Sequence, residues 1–155
     1  MKIDEIDKNI LTILQKNANI PLSELSKRVG ISPTPCWNRI KKMEEEKIIL
    51  SKIYVVNNNK INLSVTVFLS ISISNHTDQW LTKFREAVNK YDEIIEVHRL
   101  TGTNSDYQLK ILSPSINEYD KFQQDFIKEI ECTNMSSSIS LQTIKKNYHL
   151  PLSYV

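Results

Sequence analysis

Gly30-Ile31-Ser32-Pro33-Thr34-Pro35-Cys36-Trp37-Asn38-Arg39-Ile40-Lys41-Lys42-Met43 reads as a tight turn followed by a helix whose start is fixed by its own residues. Prolines break helix interiors. In a first turn, however, the N–H groups have no partner to lose, so Pro33 and Pro35 mark where the helix begins. Ser32, just ahead of them, has a hydroxyl suited to capping. Cys36, Ile40 and Met43 recur at i, i+4 and i+7 as one apolar stripe. Thr34, Asn38 and Lys42 repeat at i, i+4 and i+8 on a polar face, flanked by Arg39 and Lys41. A helix with one apolar and one basic polar face has the chemistry to lie in a DNA major groove. The competing reading is a surface helix with ordinary solvated lysines.

The preceding residues favour DNA. Asp4 is a good N-cap for a helix carrying Ile6, Ile10, Ile13 and Leu14 on one face, and Asp7 falls in its first turn, where the helix dipole favours an acid. Residues 21–30 then give a short helix with Leu22, Leu25 and Val29 inward, ended by Gly30 at a position suited to positive φ. Short helix, glycine turn and capped basic helix make a helix-turn-helix with a first helix packed behind. From Lys27 to Lys42 there are five basic residues and no acid. Phosphate binding requires such a bias, because each cation near the backbone releases counterions. Thr34, Pro35, Asn38 and Arg39 are expected at base edges, and Arg28, Ser32, Lys41 and Lys42 at phosphates. The acids Glu44 to Glu46 belong at the end pointing away from DNA.

Charge divides the chain. Residues 1–60 hold 11 Lys/Arg and 7 Asp/Glu, a net of +4; residues 61–155 hold 9 and 11, a net of −2. A chain of 155 residues forms one domain or two small ones. No apolar run approaches the roughly 20 residues that span a bilayer, and the start of the chain lacks a signal-peptide pattern, so a cytoplasmic protein with no membrane partner is expected. Cys36 and Cys132 show no metal spacing, and Cys36 on the apolar stripe reads as a buried free thiol. His76, His98 and His149 are scattered, and neither a metal nor a cofactor is expected. Trp37 either rests on DNA or packs on the first helix, with packing preferred; Trp80 reads as core.

The second half has its own order. Residues 48–56 are β-prone and suggest a short ribbon, and Asn57-Asn58-Asn59-Lys60 is a turn-rich break. Then come a strand over 64–74, a helix from Thr77 or Asp78, strands over 94–101 and 107–112, a helix opened by a Ser115/Glu118 capping box, and a last strand over 135–144. Strand-helix-strand twice over is a ferredoxin-like βαββαβ plait. The chain is thus α+β, with an N-terminal helix-turn-helix over 1–56, a linker over 57–62 and the plait over 63–155. Serine-rich alternation leaves the second sheet face semi-apolar, a face that pairs with another copy. Gly102 permits a tight turn, Asp106 can meet an ammonium group, and Thr101, Thr103 and Asn104 add polar atoms, yet these residues alone read more simply as a hairpin turn.

Along nearly its whole length the chain resembles the Lrp/AsnC (feast/famine) transcriptional regulators. Asp4-x-x-Asp7-x-x-Ile10-Leu11, Leu25-Ser26-x-x-Val29-Gly30-Ile31-Ser32, Pro33-Thr34-Pro35-Cys36 with Arg39-Ile40, Leu100-Thr101-Gly102 and Asp106-Tyr107 carry the resemblance. The Ser-Pro-Thr-Pro-Cys run is similar to the leucine-responsive type. The resemblance implies dimers assembling into tetramers or octamers, double-stranded DNA as partner, and a small amino-acid effector. It also implies that Thr101, Gly102, Thr103, Asn104 and Asp106 hold that effector, with Ser138 and Ser140 lining the same cleft. Two departures stand out. Lys47 occupies a position where the family commonly has glycine, so a different helix exit is expected. Three residues separate Gly102 from Asp106 where the family usually has two. Siroheme decarboxylases resemble the same two-module plan and give the alternative, an enzyme with His98 serving a tetrapyrrole. A third reading is an amino-acid-sensing module that does not read DNA.

Overall fold

The structure is a computed structural model that describes residues 2–102 and 105–155. It divides into two compact units, residues 1–55 with 144–155, and residues 56–143. Thr103 and Asn104, both expected in the effector loop, lie outside the described residues.

The first unit holds α1 (Glu5–Lys16), α2 (Leu22–Val29) and α3 (Pro33–Glu45). Its core is small and almost wholly aliphatic: Ile10, Leu11, Ile20, Leu25, Cys36 and Met43, with Ile40 and Val29 half-buried beside them. Cys36 and Met43 are therefore the buried stripe of α3. Asp4 caps α1 and completes a capping box: the Asp7 N–H donates to Asp4 Oδ1 at 2.9 Å, and the Asp4 N–H donates to Asp7 Oδ2 at 3.1 Å.

Ser32 is the N-cap residue of α3, but its hydroxyl makes no capping hydrogen bond. A capping side chain bonds the N–H of the second or third helical residue. Here the third is Pro35, which has none. The prolines thus define the helix start and remove the third-position donor, and the Ser32 hydroxyl does not take the remaining one, the Thr34 N–H.

Both ends of the helix-turn-helix close in the same way. After α2, Gly30 has φ +75° and the Ile31 N–H reaches back to the Ser26 carbonyl at 3.0 Å. After α3, Lys47 has φ +59°, the Ile48 N–H donates to Met43 O at 2.9 Å and the Lys47 N–H to Glu44 O at 3.1 Å. This pair of bonds is the Schellman arrangement, which puts one residue in the left-handed region. The helix exit expected to differ is therefore a glycine-type exit made by a lysine. Residues 48–56 form no strand. Leu50 and Tyr54 are 83% and 85% exposed there, because this chain offers them no neighbouring strand.

The second unit contains β1 (Val65–Ser72), α4 (Asp78–Lys90), β2 (Ile94–Arg99), β3 (Tyr107–Ser113), α5 (Ile116–Glu129) and β4 (Asn134–Ile139). The sheet is antiparallel in the order β2-β3-β1-β4, the expected plait. Val67, Leu69 and Ile71 of β1 and Leu109 and Ile111 of β3 pack with Phe84, Phe122 and Phe126. Trp80 stacks on Phe84 with ring centroids 4.8 Å apart, and its indole N–H donates to the Glu131 carbonyl. Thr77 and Ser115 cap α4 and α5. Asn58–Ile61, within the expected linker, fold as a short 3-10 turn capped by the Asn57 side chain.

The last strand ends five residues before its expected limit. Ser140 bonds Thr66, and β1 supplies no residue before Val65 to continue the ladder. Residues 144–155, expected within the plait, group with the first compact unit. Gln15 holds Leu150 by both main-chain groups, at 2.6 and 3.3 Å, and Leu152 packs against the core of the first unit.

A non-glycine residue held left-handed costs roughly 1–2 kcal/mol. Lys47→Gly should therefore stabilise the first unit by about 0.5–1 kcal/mol, after the entropic cost of glycine; urea denaturation followed by helix content would measure it.

Candidate nucleic-acid interface and ligand loop

With 3.6 residues per turn, residues about 100° apart sort quickly into faces. Opposite the buried Cys36 and Met43, α3 exposes Thr34, Pro35, Trp37, Asn38, Lys41 and Lys42. Ser32 is exposed at its start. Among the described residues Lys42 makes no ion pair, while Lys41 stands 3.7 Å from Glu44. Arg28 pairs with Glu24 one turn back on α2, both side chains about half-exposed. Exposed pairs of this kind are worth at most about 1 kcal/mol, so both cations can exchange partners for a phosphate. Asn38 and Lys42 border an open groove of about 420 Å³, which Lys2, Asp4, Asp7 and Arg39 also line.

Arg39, expected at base edges, is engaged by two carboxylates of the α1 start, Asp4 and Asp7. It lies one helical step round from Asn38, on the flank facing α1. There Nη1 donates to Asp7 Oδ1 at 2.8 Å and to Asp4 Oδ2 at 2.7 Å. The reason is Asp7, only 1% exposed. A buried carboxylate must be paired, and Arg39 is the cation within reach. Each carboxylate oxygen of Asp4 and Asp7 thus accepts one hydrogen bond, from Arg39 or from the other's N–H. The Asp7 N–H and then the Arg39 guanidinium hold the Asp4 carboxyl below its ordinary value. The two carboxylates, Asp7 foremost, push the Arg39 guanidinium further up. Burial raises the Cys36 thiol, a free cysteine. Trp37, expected to pack, is instead 49% exposed.

In the plait, Gly102 sits at φ +72° and the loop closes on Asp106. The Asp106 N–H donates to Ile71 O and its carbonyl accepts from the Leu100 N–H, each at 2.8 Å. Its side chain accepts the Ile73 N–H at 2.8 Å and lies 3.3 Å from His76 Nε2. The carboxylate expected to meet an ammonium is therefore engaged in holding the loop onto β1, because the Ile73 N–H lies past the end of the ladder and needs an acceptor.

Beside it is a polar hollow of about 260 Å³ lined by Ser70, Ser72, Ser105, Asn134 and Ser136. All but Ser105 lie on strands, on the sheet face away from the helices. Ser138 is on the same face but pairs with Phe68, two residues along the strand from Ser136. Ser140 lies beyond the end of β4. Neither lines the hollow. Ser70, Ser72, Asn134 and Ser136 were hidden in the serine alternation of the strands, which gives each residue's face but not which strands are neighbours. His98 is exposed on β2, 3.4 Å from Glu96. Among the described residues no group of three His, Cys, Asp or Glu is placed to hold a metal, and no helix is long and apolar enough to cross a membrane.

A helix-turn-helix with an exposed basic helix, joined to a plait with a polar loop site, defines a ligand-responsive DNA-binding regulator. Residues 3–49 match the model of winged helix-turn-helix DNA-binding domains, and residues 66–150 match the Lrp/AsnC ligand binding domain. The chain is 40% identical to the HTH-type transcriptional regulator Zrp of Zymomonas mobilis, over 99% of both chains. An AsnC family transcriptional regulator from Agrobacterium tumefaciens superposes with a TM-score of 0.92 at 40% identity, covering 97% of this chain and 98% of that one. A Neisseria meningitidis transcriptional regulator solved with L-Met gives 0.92 at 30% identity over 99% of each. The chain belongs to the Lrp/AsnC family of transcriptional regulators.

Truncating Arg39 leaves the Asp7 carboxylate buried without its cation. Arg39→Ala should cost the first unit about 2–4 kcal/mol, the half-exposed arginine tempering the fully buried figure. The Asp4 carboxyl has its value depressed on folding, so its contribution is complete above the ordinary aspartate value of about 3.9. It is lost as pH falls through the lower folded value. Acid titration of stability should show this loss in the wild type and a smaller one in Arg39→Ala; identical acid curves would contradict the assignment.

Proposed function

We propose that this regulator reads double-stranded DNA with the exposed face of α3. Thr34, Pro35 and Asn38 meet base edges, while Ser32, Lys41, Lys42 and Arg28 meet phosphates. Arg39 sets the helix from behind. The observation that carries the reading is the burial of Cys36 and Met43 opposite an exposed Thr34, Asn38, Lys41 and Lys42. That arrangement leaves the groove-facing side polar and basic. Asn offers a donor and an acceptor for adenine, and lysines neutralise phosphates.

The effector is a small amino acid, as the L-Met complex of the Neisseria relative suggests. In this chain the hydroxyls of Ser70, Ser72 and Ser136 and the amide of Asn134 would take its polar groups, with Gly102 and Asp106 shaping the loop beside them. Thr101 lies exposed at the loop's start. The assembly is a homo-oligomer built on dimers, up to tetramers or octamers. Exposed Leu50, Ile53, Tyr54, Val55 and Val56 support it, since a run of apolar side chains left in water marks an interaction surface. The relatives are named as transcriptional regulators, and no enzymatic role is proposed.

The test is binding to the DNA upstream of this protein's own gene and to an unrelated duplex of equal length, at two salt concentrations. The reading requires preference for the first that survives added salt. Asn38→Ala should then relax preference by roughly 1–3 kcal/mol, whereas Lys42→Ala should weaken both duplexes alike and lower the salt slope by about 1. Equal, weak binding that vanishes with salt would defeat it. For the effector, Asn134→Ala should abolish any change in DNA binding that an amino-acid screen reveals in the wild type.

A further inference from the structure

Trp37 is the first aromatic residue of the chain; none of residues 1–36, nor any other residue before Tyr54, is Phe, Trp or Tyr. The core of the first unit is built without it, from aliphatic side chains, Cys36 and Met43. An indole is the largest apolar surface a residue can offer, and buried ones dominate cores. This one stands 49% exposed. Lys41, one turn on, lies over its ring with Nζ 5.7 Å from the centroid, within cation–π range. Among the described residues the indole N–H has no acceptor. The ring follows Thr34 by three residues and precedes Lys41 by four, so it borders the exposed basic face of α3.

We propose that Trp37 is a DNA-backbone contact. Its ring face lies on a deoxyribose at the edge of the major groove. Its N–H donates to a phosphate oxygen, and Lys41 is held over the ring so that its ammonium meets a phosphate of the same strand. Such contacts position a protein on the duplex without reading sequence. The inference rests on the reading of α3 as the DNA helix and adds to it a non-ionic anchor. Trp37→Ala should weaken operator and unrelated DNA alike by about tenfold and leave the salt slope unchanged, while Lys41→Ala should lower that slope by about 1.

The direct test uses the full chain labelled with 5-fluorotryptophan. Fluorine NMR then shows one signal for Trp37 and one for Trp80, assigned with Trp37→Phe. A short mixed-sequence duplex is titrated at low salt, and its fluorescein-labelled copy reports binding by anisotropy. The expected result is a shift of the Trp37 signal in step with the anisotropy, with Trp80 unmoved. Rising anisotropy with a stationary Trp37 signal would overturn the proposal and leave the DNA reading standing. A Trp37 shift driven by protein concentration alone, without DNA, would place the ring between copies and also overturn it. No rise in anisotropy at low salt would defeat the DNA reading, and this inference with it.

Discussion

Asp7 is a carboxylate taken almost wholly out of water. A group in that position has to be answered by a cation, and Arg39 answers it from another helix. The same guanidinium nitrogen reaches Asp4, whose other oxygen caps α1. One nitrogen therefore ties the start of α1 to the middle of α3. The apolar core beneath is small, so an ionic tie of fixed geometry adds direction where aliphatic contacts add mainly cohesion. The orientation of the exposed face of α3 depends on it: with Arg39 turned toward α1, Asn38 and Lys42 are left facing outward.

The ends of the helices supply the second constraint. Gly30 and Lys47 both hold the left-handed conformation, and each lets the chain reverse within a few residues. The first reversal sets α3 against α2. The second delivers Ile48 and Ile49 back to the core beside Met43. A lysine can occupy such a position because the two Schellman hydrogen bonds and the return of Ile48 to the core outweigh a modest backbone strain.

In the plait, helices cover one sheet face and leave the other to mainly polar side chains, Ser70, Ser72, Gln108, Lys110 and Ser136 among them, with Phe68 and Leu112. The cross-strand register sets Ser70 opposite Ser136 and Ser72 opposite Asn134, so hydroxyl and amide groups gather near the loop that Asp106 fastens. Asp106 works as a post: it closes the ladder at Ile73 and fixes the neighbouring turn. Polar atoms kept on a rigid strand face lose little freedom when a ligand binds.

How much of this was legible without coordinates follows from which interactions are local. Proline positions, the Asp4 cap, the i, i+4, i+7 stripe of Cys36 to Met43 and the strand-helix-strand order are all written within a few residues of one another, and the sequence alone determined them. The Asp4-x-x-Asp7 and Ser-Pro-Thr-Pro-Cys motifs located the family in the same way. Tertiary structure decided the rest. Arg39 and Asp7 are 32 residues apart, and only the tertiary structure shows that the arginine pairs with a buried carboxylate. Leu150 follows the plait in sequence but is held by Gln15 of α1. The serines of the hollow become a group only when β4 pairs with β1. Each of these rests on long-range proximity, which periodicity and local propensity do not encode, whereas helix starts, faces and turns are set by neighbours along the chain.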